Sequence, residues 1–254
     1  MGKMKNWIKN EFWVGYNLFE KLFLLSMLLL QIVVYIIVPD TVIGIISGIS
    51  GVISVVLCAK GKISFYFIGF VQTISYLYLS WVNAFYGEVI ENVFYLVTMI
   101  WGIFLWKKNM HKNSDGTSEV KAKKFNLVEW VIYIIGTVVA TVLVGMWLDS
   151  IGSNQAYLDA ATNVMAIVAQ FLMIWRYREQ WLWWVVIDVI CIIMWFNVGN
   201  WTMVAMYIAW TINALYGWYN WSKLNKIAEL KKKYTEGEKN KSVCKKPLLF
   251  GLQI

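Results

Sequence analysis

Trp181, Trp184, Asp188, Cys191 and Trp195 follow one another in steps of three and four within an apolar stretch, so they share one face of a helix. Indole rings stack on a flat, cationic or electron-poor ring and attract it through their negative faces, while a carboxylate adds charge or a hydrogen bond. Polar groups in an apolar span are costly and by default face a cavity or a partner. The competing reading makes Trp181 and Trp195 interfacial anchors and Asp188 a tie to a neighbouring helix. Asp159, Asn163, Ala166 and Gln170 form a second stripe. Asp159 suits equally the end of a helix near the outer surface, and Asn163 and Gln170 equally suit polar glue between helices. Glu91, Asn92 and Tyr95 lie within about one turn, with Glu88 just before them; Glu91 fits a charge at a helix N-terminus, and Asn92 and Tyr95 lie deeper. Gln72 and Tyr76 share a face, as do Tyr207 and Thr211. Amides and hydroxyls recognise amide and hydroxyl groups, so the ligand is a polar aromatic small molecule.

Catalysis finds few parts. The single histidine, His111, sits in a Lys-rich connection, and Cys58, Cys191 and Cys244 have no metal-ligand spacing. Neither a His-based metal centre nor a catalytic triad can be assembled, and we assign no catalytic residue, metal or cofactor.

These stripes need a scaffold, and composition says which. Hydrophobic residues make up 59% of 254 positions and charged residues 15%, with a mean hydropathy of +0.57, against roughly 45–50% apolar and about 25% charged in soluble domains. The solvent for most of the chain is lipid. About 20 mostly apolar residues cross a bilayer as a helix, and eight segments qualify: 22–38, 42–58, 63–82, 89–106, 128–148, 157–175, 181–198 and 201–221. The net charge of +8 would suggest nucleic acid in a soluble protein. Here it gathers in alternate connections, around Lys3, Lys5 and Lys9, at Lys60 and Lys62, from Lys107 to Lys124, at Arg176 and Arg178, and in the tail. The others, around Pro39, at 86–88, at 149–155 and at 199–200, have no Lys or Arg. The positive-inside rule puts both termini and every basic connection in the cytoplasm, and nucleic acid is not a partner. The tail at 231–246 reads as disordered or lying on anionic lipid.

The expected fold is an all-α polytopic bundle with two parallel three-helix repeats. An N-terminal segment with an accessory span (1–39) precedes the first repeat (40–108), a cytoplasmic loop with a linking span (109–154) leads to the second (155–223), and a basic tail (224–254) follows. At an offset of 112 residues Gly87 matches Gly199, Tyr95 matches Tyr207 and Trp106 matches Trp218. An odd number of spans per repeat keeps both repeats in one orientation, and parallel repeats place a substrate between them near the midplane.

Four stretches in order, "SGISGVISVVLCAKGKISFYFIGFVQTISYLYLSW", "YGEVIENVFYLVTMIWGIFLWKK", "LDAATNVMAIVAQFLMIWR" and "WLWWVVIDV", resemble the PnuC family of bacterial vitamin transporters. The resemblance implies facilitated diffusion of nicotinamide riboside across the inner membrane, trapping by phosphorylation inside the cell, a 3+1+3 arrangement like that of SWEET transporters, and a homotrimer in lipid. It places the family's tryptophan motif on Trp181 and Trp184, its carboxylate or amide on Asp188, and its E-N-x-x-Y motif on Glu91, Asn92 and Tyr95. Gln72, Asp159, Asn163 and Gln170 match family positions more loosely, and relatives carry Thr and Ser where this chain has Asn163 and Met165. Thiamine or another nucleoside is the rival cargo, and a membrane enzyme or small-molecule sensor the rival class.

Overall fold

A computed structural model of the protein describes residues 8–37, 41–113, 116–153, 155–199 and 201–244, without the side chains of Val198, Thr202 and 234–244. The connection at Pro39, the first lysines and the end of the tail lie outside these residues. Eight long helices run in chain order: α1 (Leu18–Ile37), α2 (Val42–Ala59), α3 (Ser64–Val82), α4 (Tyr86–Lys107), α5 (Leu127–Ser150), α6 (Ala156–Ile174), α7 (Gln180–Val198) and α8 (Trp201–Cys244). Local chemistry starts several of them. Thr41 accepts the Gly44 amide at the head of α2, and Asn126 and Glu129 form a reciprocal capping box on α5, which satisfies amide donors that a helix start otherwise leaves open.

Seven of these helices, α1 to α7, are long and apolar enough to cross a membrane. Against the expected eight spans, α8 differs because Trp, Tyr and Asn interrupt its apolar first half. It also does not end at 221. It continues as one helix to Cys244 where disorder or surface-lying chain was expected, because Ala, Leu, Lys and Glu in "IAELKKKY" are strong helix formers. A second departure is a small antiparallel hairpin, β1 (Met110–Lys112) and β2 (Ser118–Val120), in the connection read as a loop.

The helices pack as two triads, α2–α3–α4 and α6–α7–α8. They meet where the first helix of each touches the third of the other, α2 on α8 and α4 on α6. α5 packs on α6 and α1 on α2. α5 turns Val131, Ile135, Val138, Val142 and their neighbours outward, a face suited to lipid.

Matching interactions recur in the two triads at residues 115 apart, three more than the 112 of the sequence match. Gly61 and Arg176 both adopt positive φ, at 71° and 68°, and their amides donate to Cys58 and Met173. Tyr66 packs against Gly102 and edge-on to Trp106; Trp181 packs against Gly217 and edge-on to Trp221. The Trp106 indole N–H donates to the Met173 carbonyl at 3.0 Å, and that of Trp221 to the Cys58 carbonyl at 2.9 Å, each crossing from one triad to the other. The hairpin and the chain after it stitch the same turns, with the Val120 amide on the Gly61 carbonyl and the Lys123 amide on that of Arg176.

The accessory helix is tied in by a buried ion pair. Lys60 donates to both Glu20 oxygens and to the Gly15 carbonyl, each at 3.1 Å, and Tyr216 of α8 donates to Glu20. Lys60 is 5% exposed and Glu20 7%, so removing either partner strands a buried charge.

A Cβ at Gly102 would lie 2.2 Å from the Tyr66 oxygen and one at Gly217 2.5 Å from the Trp181 ring, whereas at Gly87 nothing lies within 4 Å. Gly102→Ala and Gly217→Ala should lower the melting temperature in detergent, because overpacking of about 1–3 kcal/mol outweighs the helix gain of about 1 kcal/mol. Gly87→Ala should leave it unchanged or raise it.

Candidate substrate site between the two triads

Along α7, Trp181, Ile187 and Asp188 are buried and Trp184, Cys191 and Trp195 half-buried, while Val186, Val189, Ile193 and Phe196 are exposed. The stripe read from the sequence is therefore the inward face. Its deeper part forms a cluster with α8. Asp188, 3% exposed, lies near Cys191 and Tyr207, and Tyr207 lies beside Cys191 and Trp195.

The α4 motif forms a second cluster. Tyr95 donates to Glu91 at 2.6 Å, the buried Asn92 donates to the Glu88 carbonyl at 2.7 Å, and Tyr76 of α3 hydrogen-bonds Glu88. A third polar contact joins the triads directly, Gln170 of α6 donating to the Thr98 hydroxyl of α4 at 2.9 Å in a buried setting. Gln72 sits between α2 and α3, its side chain against Gly51 and its carboxamide oxygen accepting from Thr73. Asp159 accepts from Ser153 at the far end of α6, and Asn163 is exposed and donates to the Asp159 carbonyl at 2.7 Å. Among the described residues no hydrogen bond or ion pair joins the Asp188 cluster to that of Glu91 and Tyr95; they belong to opposite triads.

Trp181 packs deep within the bundle. It is 4% exposed and belongs to a run of aromatic rings, Tyr66, Trp106, Trp221 and Trp181, with neighbouring centroids 5.3 to 6.0 Å apart. This run crosses between the triads at the basic end of the bundle and closes it there. Trp184, one turn deeper, touches the cores of both regions.

Sequence reasoning missed Thr98 and Asn213. Both sit on the third helix of a triad and reach the first helix of the other, Thr98 to Gln170 and the Asn213 amide to the Val55 carbonyl at 3.5 Å. The Asn213 carboxamide oxygen is buried and accepts no hydrogen bond among the described residues, an arrangement expected of a group awaiting a ligand or water. Thr98 lies one turn beyond Tyr95, while Asn213, six residues beyond Tyr207, lies off that residue's face and had no such signal.

Residues 41–223 match the model of a family described as "Nicotinamide mononucleotide transporter". The chain belongs to the PnuC family. It is 40% identical to the nicotinamide riboside transporter PnuC of Haemophilus influenzae over 86% of this chain and 96% of that one. It is 36% identical to the protein of the same name from Neisseria mucosa, over 87% of each. A crystal structure of the vitamin B3 transporter PnuC shares the fold, with a TM-score of 0.75 and 35% identity over 88% of this chain and 98% of that one. This PnuC homologue is an all-α, multi-pass membrane protein.

The cross-triad indoles are open to a direct check. Trp106→Phe keeps an aromatic side chain but removes the indole donor, leaving the Met173 carbonyl with the Arg176 amide alone; the lost hydrogen bond should cost about 0.5–1.5 kcal/mol and appear as a lower melting temperature of the purified protein.

Proposed function

We propose that this protein carries nicotinamide riboside across the membrane by facilitated diffusion, without chemical change, and that phosphorylation inside the cell traps the product. The observation that carries this reading is the kind of charge held in the spans. The two names attached to the family differ by a phosphate. A phosphate in low dielectric needs cationic partners, yet α2, α3, α6, α7 and residues 201–221 contain no Lys or Arg, and α4 has only Lys107 in its last turn. Their ionisable groups are carboxylates, Glu88, Glu91, Asp159 and Asp188. A carboxylate beside half-buried indoles suits the cationic pyridinium ring of the riboside and repels the mononucleotide.

In this reading the ring stacks on Trp184 with Asp188 close by, and the amide and ribose engage Asn92, Tyr95, Gln72, Gln170, Tyr207 and the open acceptor of Asn213. Trp181 closes the basic end beneath it. Glu91, Asp159 and Asn163 lie toward the opposite end and line the approach. The two triads act as parallel repeats related by an axis near the membrane normal, supported by the interactions that recur 115 residues apart. Residues 201–221 form an eighth span, and both termini and the basic connections are cytoplasmic, supported by the alternation of charge. The exposed apolar faces of α1 and α5 meet lipid and neighbouring copies in a homotrimer, as the family resemblance implies.

The test is uptake of labelled nicotinamide riboside by liposomes with and without ion gradients, alongside calorimetric titration with the riboside, its mononucleotide and thiamine. Equal affinity for the mononucleotide would overturn the charge argument, and preference for thiamine would change the cargo. Trp184→Ala should weaken riboside binding about two- to thirty-fold, from a stacking contribution of about 0.5–2 kcal/mol, with an unchanged elution volume. Asp188→Asn should cost less than Asp188→Leu if hydrogen bonding outweighs charge. For topology, a periplasm-dependent reporter should be silent after Lys112 and active after Ser150.

A further inference from the structure

A large cavity opens at the basic end of the bundle. About 940 Å³ opens between the β-hairpin and the chain after it, the start of α5, the turn joining α6 to α7, and α8 beyond residue 224. Six basic side chains line it, Lys121, Lys123, Lys124, Arg176, Lys231 and Lys232, against three carboxylates, Glu119, Glu129 and Glu229. The carboxylates are already engaged. Glu119 accepts from Asn113 at 3.0 Å, Glu129 accepts from Tyr177 at 2.6 Å and from the Asn126 amide at 2.8 Å, and Glu229 pairs with Lys124 at 3.0 Å. Positive charge therefore exceeds negative inside a concave surface. The Lys123 ammonium lies 5.1 Å from the Tyr177 ring centroid, and burial first, then the neighbouring Arg176, holds its pKa below the ordinary lysine value. His111, hydrogen-bonded to Lys231, is held below the ordinary histidine value by burial and by Lys231 and Lys121. The positive-inside rule accounts for basic residues on this side of the membrane. It does not account for their crowding into a cavity.

Arg176 adds an independent observation. It occupies left-handed backbone with φ of 68°, while its counterpart in the other triad, with the same hydrogen bonds, is Gly61 at 71°. Glycine adopts this conformation without strain and an L side chain does not. The second triad keeps an arginine at a strained position, where it lines the cavity.

We propose that this basin is a binding site for a phosphate-bearing anion, with Arg176 and Lys123 as its principal contacts. The guanidinium offers a planar pair of donors matched to phosphate oxygens and the ammonium a point charge. Two sources present this chemistry at the membrane surface, a soluble phosphate ester and the headgroup of an anionic phospholipid. The site is separate from the riboside path and goes beyond the transport reading.

The experiment uses the full-length protein. In neutral detergent, pyrophosphate and adenosine monophosphate are titrated with adenosine as the uncharged control. In nanodiscs, retention of phosphatidylglycerol over phosphatidylcholine is read by native mass spectrometry. Wild-type protein should bind the phosphorylated probes, retain phosphatidylglycerol, or both, and the response should fall with salt. Arg176→Gly relieves the backbone and removes the charge, so it should raise the melting temperature of the unliganded protein and weaken anion binding at least tenfold. Lys123→Gln should weaken binding without that rise. Binding of phosphorylated probes alone assigns a soluble ligand, and retention of lipid alone assigns a headgroup. Absence of both in the wild type, or unchanged binding in both variants, overturns the proposal. Riboside affinity measured in parallel separates this result from the transport reading, because neither substitution touches Trp184 or Asp188.

Discussion

Two indole N–H groups hold the architecture together. Trp106, at the end of α4, and Trp221, midway along α8, each donate to a carbonyl at the end of the first helix of the other triad, Met173 and Cys58 respectively. Those carbonyls, Met173 and Cys58, also accept the Arg176 and Gly61 amides of the turns that follow, so each indole adds a second donor at a helix end, where intrahelical partners run out. The triads are therefore joined through the turns that end their first helices. The rings that carry these donors also make up the aromatic closure with Tyr66 and Trp181, so the fold's main joint and its closed end are the same group of side chains.

The two triads repeat their scaffold and diverge in what they present to the interior. Where the second triad carries Trp184, Asp188, Gln170 and Asn213, the positions 115 residues earlier hold Gly69, Thr73, Val55 and Thr98. Gly69 has no room for more than hydrogen, since an added Cβ would lie 2.8 Å from Met99 and 2.9 Å from Ser54. One triad packs tightly and the other is furnished with rings, amides and a carboxylate. In the transport reading, walls this unequal suit an asymmetric molecule better than a symmetric pair would.

Much of this was legible in the sequence. The apolar runs located seven membrane-length helices within a few residues, because a bilayer enforces length and hydropathy together. The three-and-four spacing chose the inward face of α7 correctly, with Val186, Val189 and Ile193 left outside. Trp181 was harder. An indole near a helix start is equally good as a stacking platform and as packing, and the sequence does not name its neighbours, Gly217 and the edge-on Trp221. Thr98 and Asn213 were passed over because neither residue type is unusual within a span; what singles them out is the opposite helix they reach, information that lies 72 and 158 positions away in the chain. The hairpin and the continuation of α8 past the membrane escaped because charge and polarity say that a segment meets water, not what shape it takes there.

The tie between Glu20, Lys60 and Tyr216 has a bearing on biosynthesis. Its members emerge from the ribosome in the order carboxylate, ammonium, hydroxyl. Glu20 and Lys60 can meet as soon as the first two helices have entered the bilayer, while the Tyr216 oxygen reaches the carboxylate only after every earlier helix has been made. The accessory helix thus acts as an early anchor whose final hydrogen bond is made by nearly the last membrane segment to be synthesised. A chain cut short before α8 would keep its ion pair but leave one side of Glu20 uncovered, a difference that membrane quality control could read.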